Sequence, residues 1–173
     1  MEVGTASPIW QSAAYLNGEE IVLSNADFRG VWHVLYFYPL DFTFICPTEI
    51  VGFEALMPKF REIGVAIVGA STDSFYSHKA WFSDQSIFPA SVSHPVLADT
   101  SHGTARAFDV LKADDGVAYR ATIIVDDSGI VRSKSVNDLS VGRSPAETLR
   151  TVEAFQSGGL CSADWRQGDA FAA

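Results

Sequence analysis

Two thiols, Cys46 and Cys161, offer the most distinctive chemistry in this sequence. Cys46 stands in "DFTFICPTEI", between an apolar run and a proline that opens a helix-like segment, and Cys161 stands far along the chain beside Gly158 and Gly159. Spacing removes several thiol chemistries. A dithiol oxidoreductase needs a second cysteine three positions on, where Glu49 stands, and a cysteine phosphatase loop needs an arginine six positions on, where Gly52 stands. Two distant cysteines make neither a disulfide scaffold nor a zinc site, which takes about four ligands. His33, His78, His94 and His102 show no ligand spacing and no protease motif, which argues against metal, haem and cysteine-protease chemistry. Redox or nucleophilic chemistry at the cysteines is what remains.

The elements that must position these thiols can be read from hydrophobic period. "VWHVLYFYPL" (31–40) is a β-branched and aromatic run that reads as a strand buried on both faces. The segment after it carries Ile50, Phe53, Leu56 and Phe60 at helical steps and ends near Gly64. "VAIVGAS" (65–71) reads as a second buried strand, and "SFYSHKAWFSD" as a helix capped by Asp73 or Ser74. A weaker helix falls near "TARAFDVL"; "ATIIVDDSGIVRSKSV" reads as a hairpin turning at Asp127, Ser128 and Gly129. "SPAETLRTVEAFQ" reads as a last helix with Ser144 as its cap, Pro145 at its first position and Glu147 three after the cap. This order predicts an α/β chain with a mixed sheet and helices on both sides, the thioredoxin-like arrangement.

Length and composition set the frame. At 173 residues one domain is expected over 1–173, with about 145–173 forming the C-terminal helix and a tail. A net charge of -9 disfavours nucleic acid and anionic membranes as partners. The start, "MEVGTASPIW", lacks a basic patch followed by an apolar core, so a soluble cytoplasmic protein is expected.

Cys46 therefore falls at a strand-to-helix junction, in the first helical turn. Unpaired N–H groups there favour a thiolate, and ionisation governs thiol reactivity. A cysteine can equally be a small buried hydrophobe; Pro39 and Pro47, which restrict φ around the turn, weigh toward a built site.

"FYPLDFTFICPTEI" closely resembles the active-site segment of the two-cysteine peroxiredoxins, the peroxidase subunit of alkyl hydroperoxide reductase in bacteria. The resemblance continues through "STDSFYSHKAW", "GVAYRATIIVD", "VNDLSVGRSPAETLR" and "LCSADWRQGD", nearly the whole chain from about residue 8. It implies a thiol-dependent peroxidase that reduces hydrogen peroxide and alkyl hydroperoxides without a cofactor or metal. Cys46 would be peroxidatic and become a sulfenic acid; Cys161 would resolve that acid from a second subunit, on a mobile segment. Thr43 and Pro39 fall on the family's Pro-x-x-x-Thr-x-x-Cys pattern, and Arg120 is the cation implied beside the sulfur.

Glu49 poses a difficulty, since a carboxylate so close to the nucleophile opposes its ionisation. The resemblance implies that Glu49 bridges Arg120 and Arg143. Asp41 reads as a loop residue, and His78 and Trp81 as packing and hydrogen-bonding groups. The family implies a homodimer assembling into a ring, typically of five dimers, and a thioredoxin-like protein or a flavoprotein as disulfide reductant. Ser162 and Ala163 replace residues that are often proline or cysteine in relatives, and neither the Gly-Gly-Leu-Gly loop nor the C-terminal Tyr-Phe helix is present, so resistance to overoxidation is expected. The rival class is a redox-regulated holdase, separated by steady-state peroxide consumption.

Overall fold

The computed structural model describes residues 1–172. Strands β1 (Gln11–Leu16) and β2 (Glu19–Ser24) form a hairpin, and a 3-10 turn (Asn25–Phe28) leads into β3 (Trp32–Phe37). Next come α1 (Cys46–Glu62), β4 (Val65–Ser71), α2 (Phe75–Phe82), β5 (Val96–Ala98) and α3 (Gly103–Ala107). The chain continues through a small ladder of β6 (Leu111–Lys112) and β7 (Val117–Ala118), the hairpin β8 (Arg120–Val125) and β9 (Val131–Asn137), and α4 (Pro145–Ser157).

Seven strands make one mixed sheet in the order β2-β1-β5-β4-β3-β8-β9. β3, β4 and β5 are parallel, while β1, β2, β8 and β9 add antiparallel neighbours. Alternation along β3 divides the interior. Val34 and Tyr36 point to a core shared with Ile50 and Phe53 of α1, Trp81 and Phe82 of α2, and Leu149 and Val152 of α4. Leu35 and Phe37 point to the other face, where Ala105 of α3, Phe108 and Val110 cover them. That period of two on a strand buried on both faces explains its apolar run without helical spacing.

Element ends follow local chemistry. Ser144 accepts from the Glu147 N–H and caps α4, with Pro145 at the first helical position. Glu147 does not complete the reciprocal cap; its carboxylate pairs with Arg150. Ser74, not Asp73, caps α2 by accepting from Ser77 N–H. Gly64 stops α1 at φ +69, a left-handed conformation that costs glycine little. No helix among the described residues is long and apolar enough to cross a membrane.

Candidate active site

The eight residues between β3 and α1 deliver a thiol to a helix start. Cys46 is the first residue of α1, and its cap, Ile45, has no polar side chain to occupy the first-turn N–H groups. The Cys46 N–H is thus free to donate, and Pro47 contributes none of its own. Cys46 is 0 % exposed and is a free thiol.

Two groups converge on its sulfur. Thr43 Oγ1 lies 2.9 Å from Cys46 Sγ and 2.9 Å from the Leu40 carbonyl. A hydroxyl has one proton. With a thiol, S–H can donate to Thr43 while Thr43 donates to Leu40; with a thiolate, the Thr43 proton turns to the sulfur. Arg120, at the start of β8, points Nη1 at Cys46 Sγ from 3.3 Å. Its Nε donates to the Leu139 carbonyl at 2.7 Å, which fixes the guanidinium plane.

Glu49 sits one helical turn after Cys46 and is buried. It lies between two cations. Arg120 Nη1 donates to its Oε2 at 2.8 Å, and Arg143 donates to its Oε1 through Nε at 2.9 Å and through backbone N–H at 2.8 Å. Arg143 in turn donates from Nη1 to the carbonyls of Phe37 and Ala121, the latter at 2.6 Å. One carboxylate between two guanidiniums leaves the cluster net positive, so the charge nearest the sulfur favours its anion. A lone glutamate there would oppose it.

Pro39 is buried just past β3, at the start of the loop. Asp41 is in that loop, yet it is far from a free loop side chain: it is buried, accepts from Tyr38 O–H at 2.8 Å and from His78 Nδ1–H at 2.7 Å. Its backbone N–H donates to Asp73 at 2.6 Å. Burial pushes the Asp73 carboxyl up, and the Asp41 and His78 pair ties the cysteine loop to α2. Tyr38 is a neighbour in the same loop, but the partners that bury and fix Asp41, His78 and Asp73, come from α2 and its lead-in, which the sequence around Asp41 does not signal. His78 also reaches the Leu97 carbonyl, and Trp81 packs at 5.0 Å on Phe88.

The structure does not bring Cys161 to this cluster. It follows α4, half-buried and free, with Sγ 3.3 Å from Ser157 Oγ. Its segment has definite contacts: Trp165 is buried and stacks on Phe171 at 5.8 Å, and Ala172 N–H donates to the Leu160 carbonyl at 2.7 Å.

The AhpC/TSA family matches residues 3–134. The chain belongs to that family. Peroxiredoxin prdx-2 of Caenorhabditis elegans is 43% identical over 96% of this chain and 86% of its own length. Peroxiredoxin-2 of Mus musculus is 40% identical over 96% of this chain and 87% of its own. Among solved structures, the reduced 2-Cys peroxiredoxin of Plasmodium vivax superposes with a TM-score of 0.92 at 34% identity, covering 98% of this chain and 92% of that one. Mycobacterium tuberculosis AhpC gives 0.86 at 34% identity, with 96% and 99% covered. This peroxiredoxin has the family's mixed sheet with helices on both faces, and it is a thiol-dependent peroxidase, an oxidoreductase that reduces peroxides.

Proposed function

We propose that Cys46 is the peroxidatic thiol, and one observation carries this: a fully buried sulfur at a helix start, 2.9 Å from a hydroxyl and 3.3 Å from a guanidinium. The thiolate attacks the terminal oxygen of hydrogen peroxide or an alkyl hydroperoxide. An S–O bond forms, the O–O bond breaks, and the leaving alkoxide or hydroxide takes a proton to become alcohol or water. Arg120, Thr43 O–H and the Cys46 N–H are the donors available to the charge that moves onto the oxygens. Pro39 shapes the loop, and Glu49 and Arg143 hold Arg120 in place.

Cys161 of a second subunit then attacks the sulfenic sulfur, releasing water and leaving an intersubunit disulfide. The two thiols of one chain share no hydrogen-bond partner, Cys161 lying against Ala154, Ser157 and Gly159 and Cys46 against Thr43 and Arg120, which favours a partner's Cys161 over its own. A dithiol, thioredoxin-like or delivered by a flavoprotein, reopens the bridge. The chain works as an oligomer, and we assign it a dimer that builds a ring of dimers, five in number, in the cytoplasm; light scattering of reduced and oxidised protein measures the ring.

The test separates the cysteines. Cys46→Ser is expected to abolish peroxide turnover while keeping the fold. Cys161→Ser is expected to consume one equivalent of hydroperoxide per chain and stop. Oxidised wild type should run as a linked dimer on a non-reducing gel, and neither variant should. Sustained turnover by Cys46→Ser sinks the assignment; a bridge within one chain sinks the intersubunit step.

A further inference from the structure

A second buried network lies behind the first, and no step above uses it. Tyr36, in the middle of β3, is fully buried, and its hydroxyl meets His94 Nε2 at 2.7 Å. On the far side of that imidazole, His94 Nδ1 meets Glu54 Oε1 at 2.5 Å. Glu54 also accepts from Ser93 N–H at 2.7 Å, Ser93 O–H at 2.9 Å and His94 N–H at 3.2 Å. Burial pushes the Glu54 carboxyl up, but the hydrogen bonds from His94 and Ser93 prevail and hold it below the usual range. A carboxylate only accepts, so His94 Nδ1 carries a proton, and in the neutral imidazole Nε2 is then the acceptor for the phenol. Three side chains from β3, α1 and the lead-in to β5 thus form one line.

The sheet is shaped for that line. Gly69, opposite Tyr36 in the parallel pair of β3 and β4, has room for the phenol only because it has no side chain. A Cβ there would stand 2.8 Å from the Tyr36 hydroxyl and 2.9 Å from its Cζ. At the other end, the Tyr36 ring lies under the Arg143 guanidinium, with Cζ 5.5 Å from the ring centroid, and stacks on Phe53 at 4.3 Å. Arg143 Nη2 meets no acceptor among the described residues. The electron-rich ring face is the surface presented to that cation.

From this we infer that Tyr36 is a positioning residue for the peroxidase reaction: Glu54 and His94 grip its hydroxyl so that its ring supports Arg143, and through Arg143 and Glu49 it sets how Arg120 meets Cys46. The inference rests on the assignment of Cys46 and its two arginines. A plain core tyrosine needs one acceptor for its hydroxyl; here the acceptor is a buried imidazole backed by a half-buried carboxylate, and a glycine is cleared for the ring. Burial raises the Tyr36 phenol well above its ordinary range, so it stays protonated and donating.

The experiment follows the second-order rate with hydrogen peroxide and the pH at which thiolate absorbance develops, in Tyr36→Leu, Tyr36→Phe, Glu54→Gln and the double variant Tyr36→Phe with Glu54→Gln. Loss of the ring in Tyr36→Leu is expected to slow the reaction about three- to tenfold and move thiolate absorbance to higher pH. Tyr36→Phe and Glu54→Gln break the same grip, so each should give a smaller effect of the same sign. The double variant should be no worse than either single one, because the coupled groups share one interaction. If Tyr36→Leu does not fold, the other three carry the test. Folded variants that lose only thermal stability, with rate and thiolate titration unmoved, overturn the inference. Arg143→Gln distinguishes the levels: if it changes both readouts while the Tyr36 and Glu54 variants change neither, only this inference falls. If Arg143→Gln changes neither, the reading of the site falls with it.

Discussion

A sulfur held between a hydroxyl and a guanidinium makes a definite claim about Arg120. Arg120→Met removes the cation nearest Cys46 and leaves Glu49 with Arg143 alone. Peroxide attack is expected to slow by about tenfold or more, and because a broken buried ion pair costs about 3–5 kcal/mol, the unfolding midpoint should fall too. Arg120→Lys separates the effects. It keeps the charge but cannot serve Cys46, Glu49 and the Leu139 carbonyl from one plane, so stopped-flow rates should fall between wild type and Met. At this scale Cys46, Thr43, Pro39 and Glu49 are legible because they lie within a few residues of one another, and Arg120 and Arg143 because their short motifs stand in family order. Asp41 and the line from Tyr36 to Glu54 are not. Asp41 depends on the distant His78 and Asp73 as well as on its neighbour Tyr38, the line joins three separate elements, and a polar residue carries no local mark of whether it will be buried with a partner or left in water.

Elements set the spacing that the residues rely on, and Gly52 shows how tightly. It lies in α1 where α4 crosses; a Cβ there would stand 2.9 Å from Pro145 Cγ, part of a ring that cannot swing aside. Gly52→Ala gains about 1 kcal/mol of helix propensity, while overpacking costs about 1–3 kcal/mol. The second wins. A lower urea midpoint is expected together with reduced peroxidase activity, since Arg143 stands two residues before Pro145; an unchanged midpoint would show that α4 yields freely. Strands β3 and β4, helices α1 and α4, and the hairpin β8 to β9 are legible because their apolar patterns are strong and because Gly64, the turn at Asp127, Ser128 and Gly129, and the Ser144 cap mark where elements stop and start. The first hairpin is weaker: its Asn17-Gly18 turn has the positive φ values of a tight hairpin, 51 and 89, but β2 opens on two glutamates and hides the alternation. β5 has three residues and no period to read.

Across the whole molecule, the sheet order joins strands distant in sequence, and hydrophobic period does not encode which strand lies beside which. One global property can be traced to a single group. His33, buried between the 3-10 turn and the sheet, stacks on Phe28 at 4.8 Å, donates from Nδ1 to the Val31 carbonyl, and has no partner for Nε2 among the described residues. Burial pushes its pKa down. The unfolded chain takes up that proton near pH ~6.5 and the folded one only at lower pH. Stability from His33 is therefore complete above about pH 6.5 and declines as pH falls toward the folded value, by up to about 1.4 kcal/mol per pH unit. His33→Phe should flatten this part of the acid limb in thermal melts at pH 7.5 and 5.5; an equal loss in both proteins would place the acid sensitivity elsewhere.

The complete burial of Cys46 also bears on chemical labelling. A bulky disulfide dye needs open surface around a sulfur, whereas a peroxide is two oxygen atoms across at its reacting end. Native reduced protein should therefore show the dye about one fast thiol per chain, Cys161, and two once unfolded. Peroxide added first should consume the hidden sulfur ahead of the visible one. The two reagents thus find the same pair of atoms in opposite order, the dye by access and the peroxide by the activation that Thr43 and Arg120 provide. In Cys161→Ser, where nothing resolves the sulfenic acid, native protein should show the dye no fast thiol yet consume one equivalent of peroxide, after which the unfolded chain shows none either.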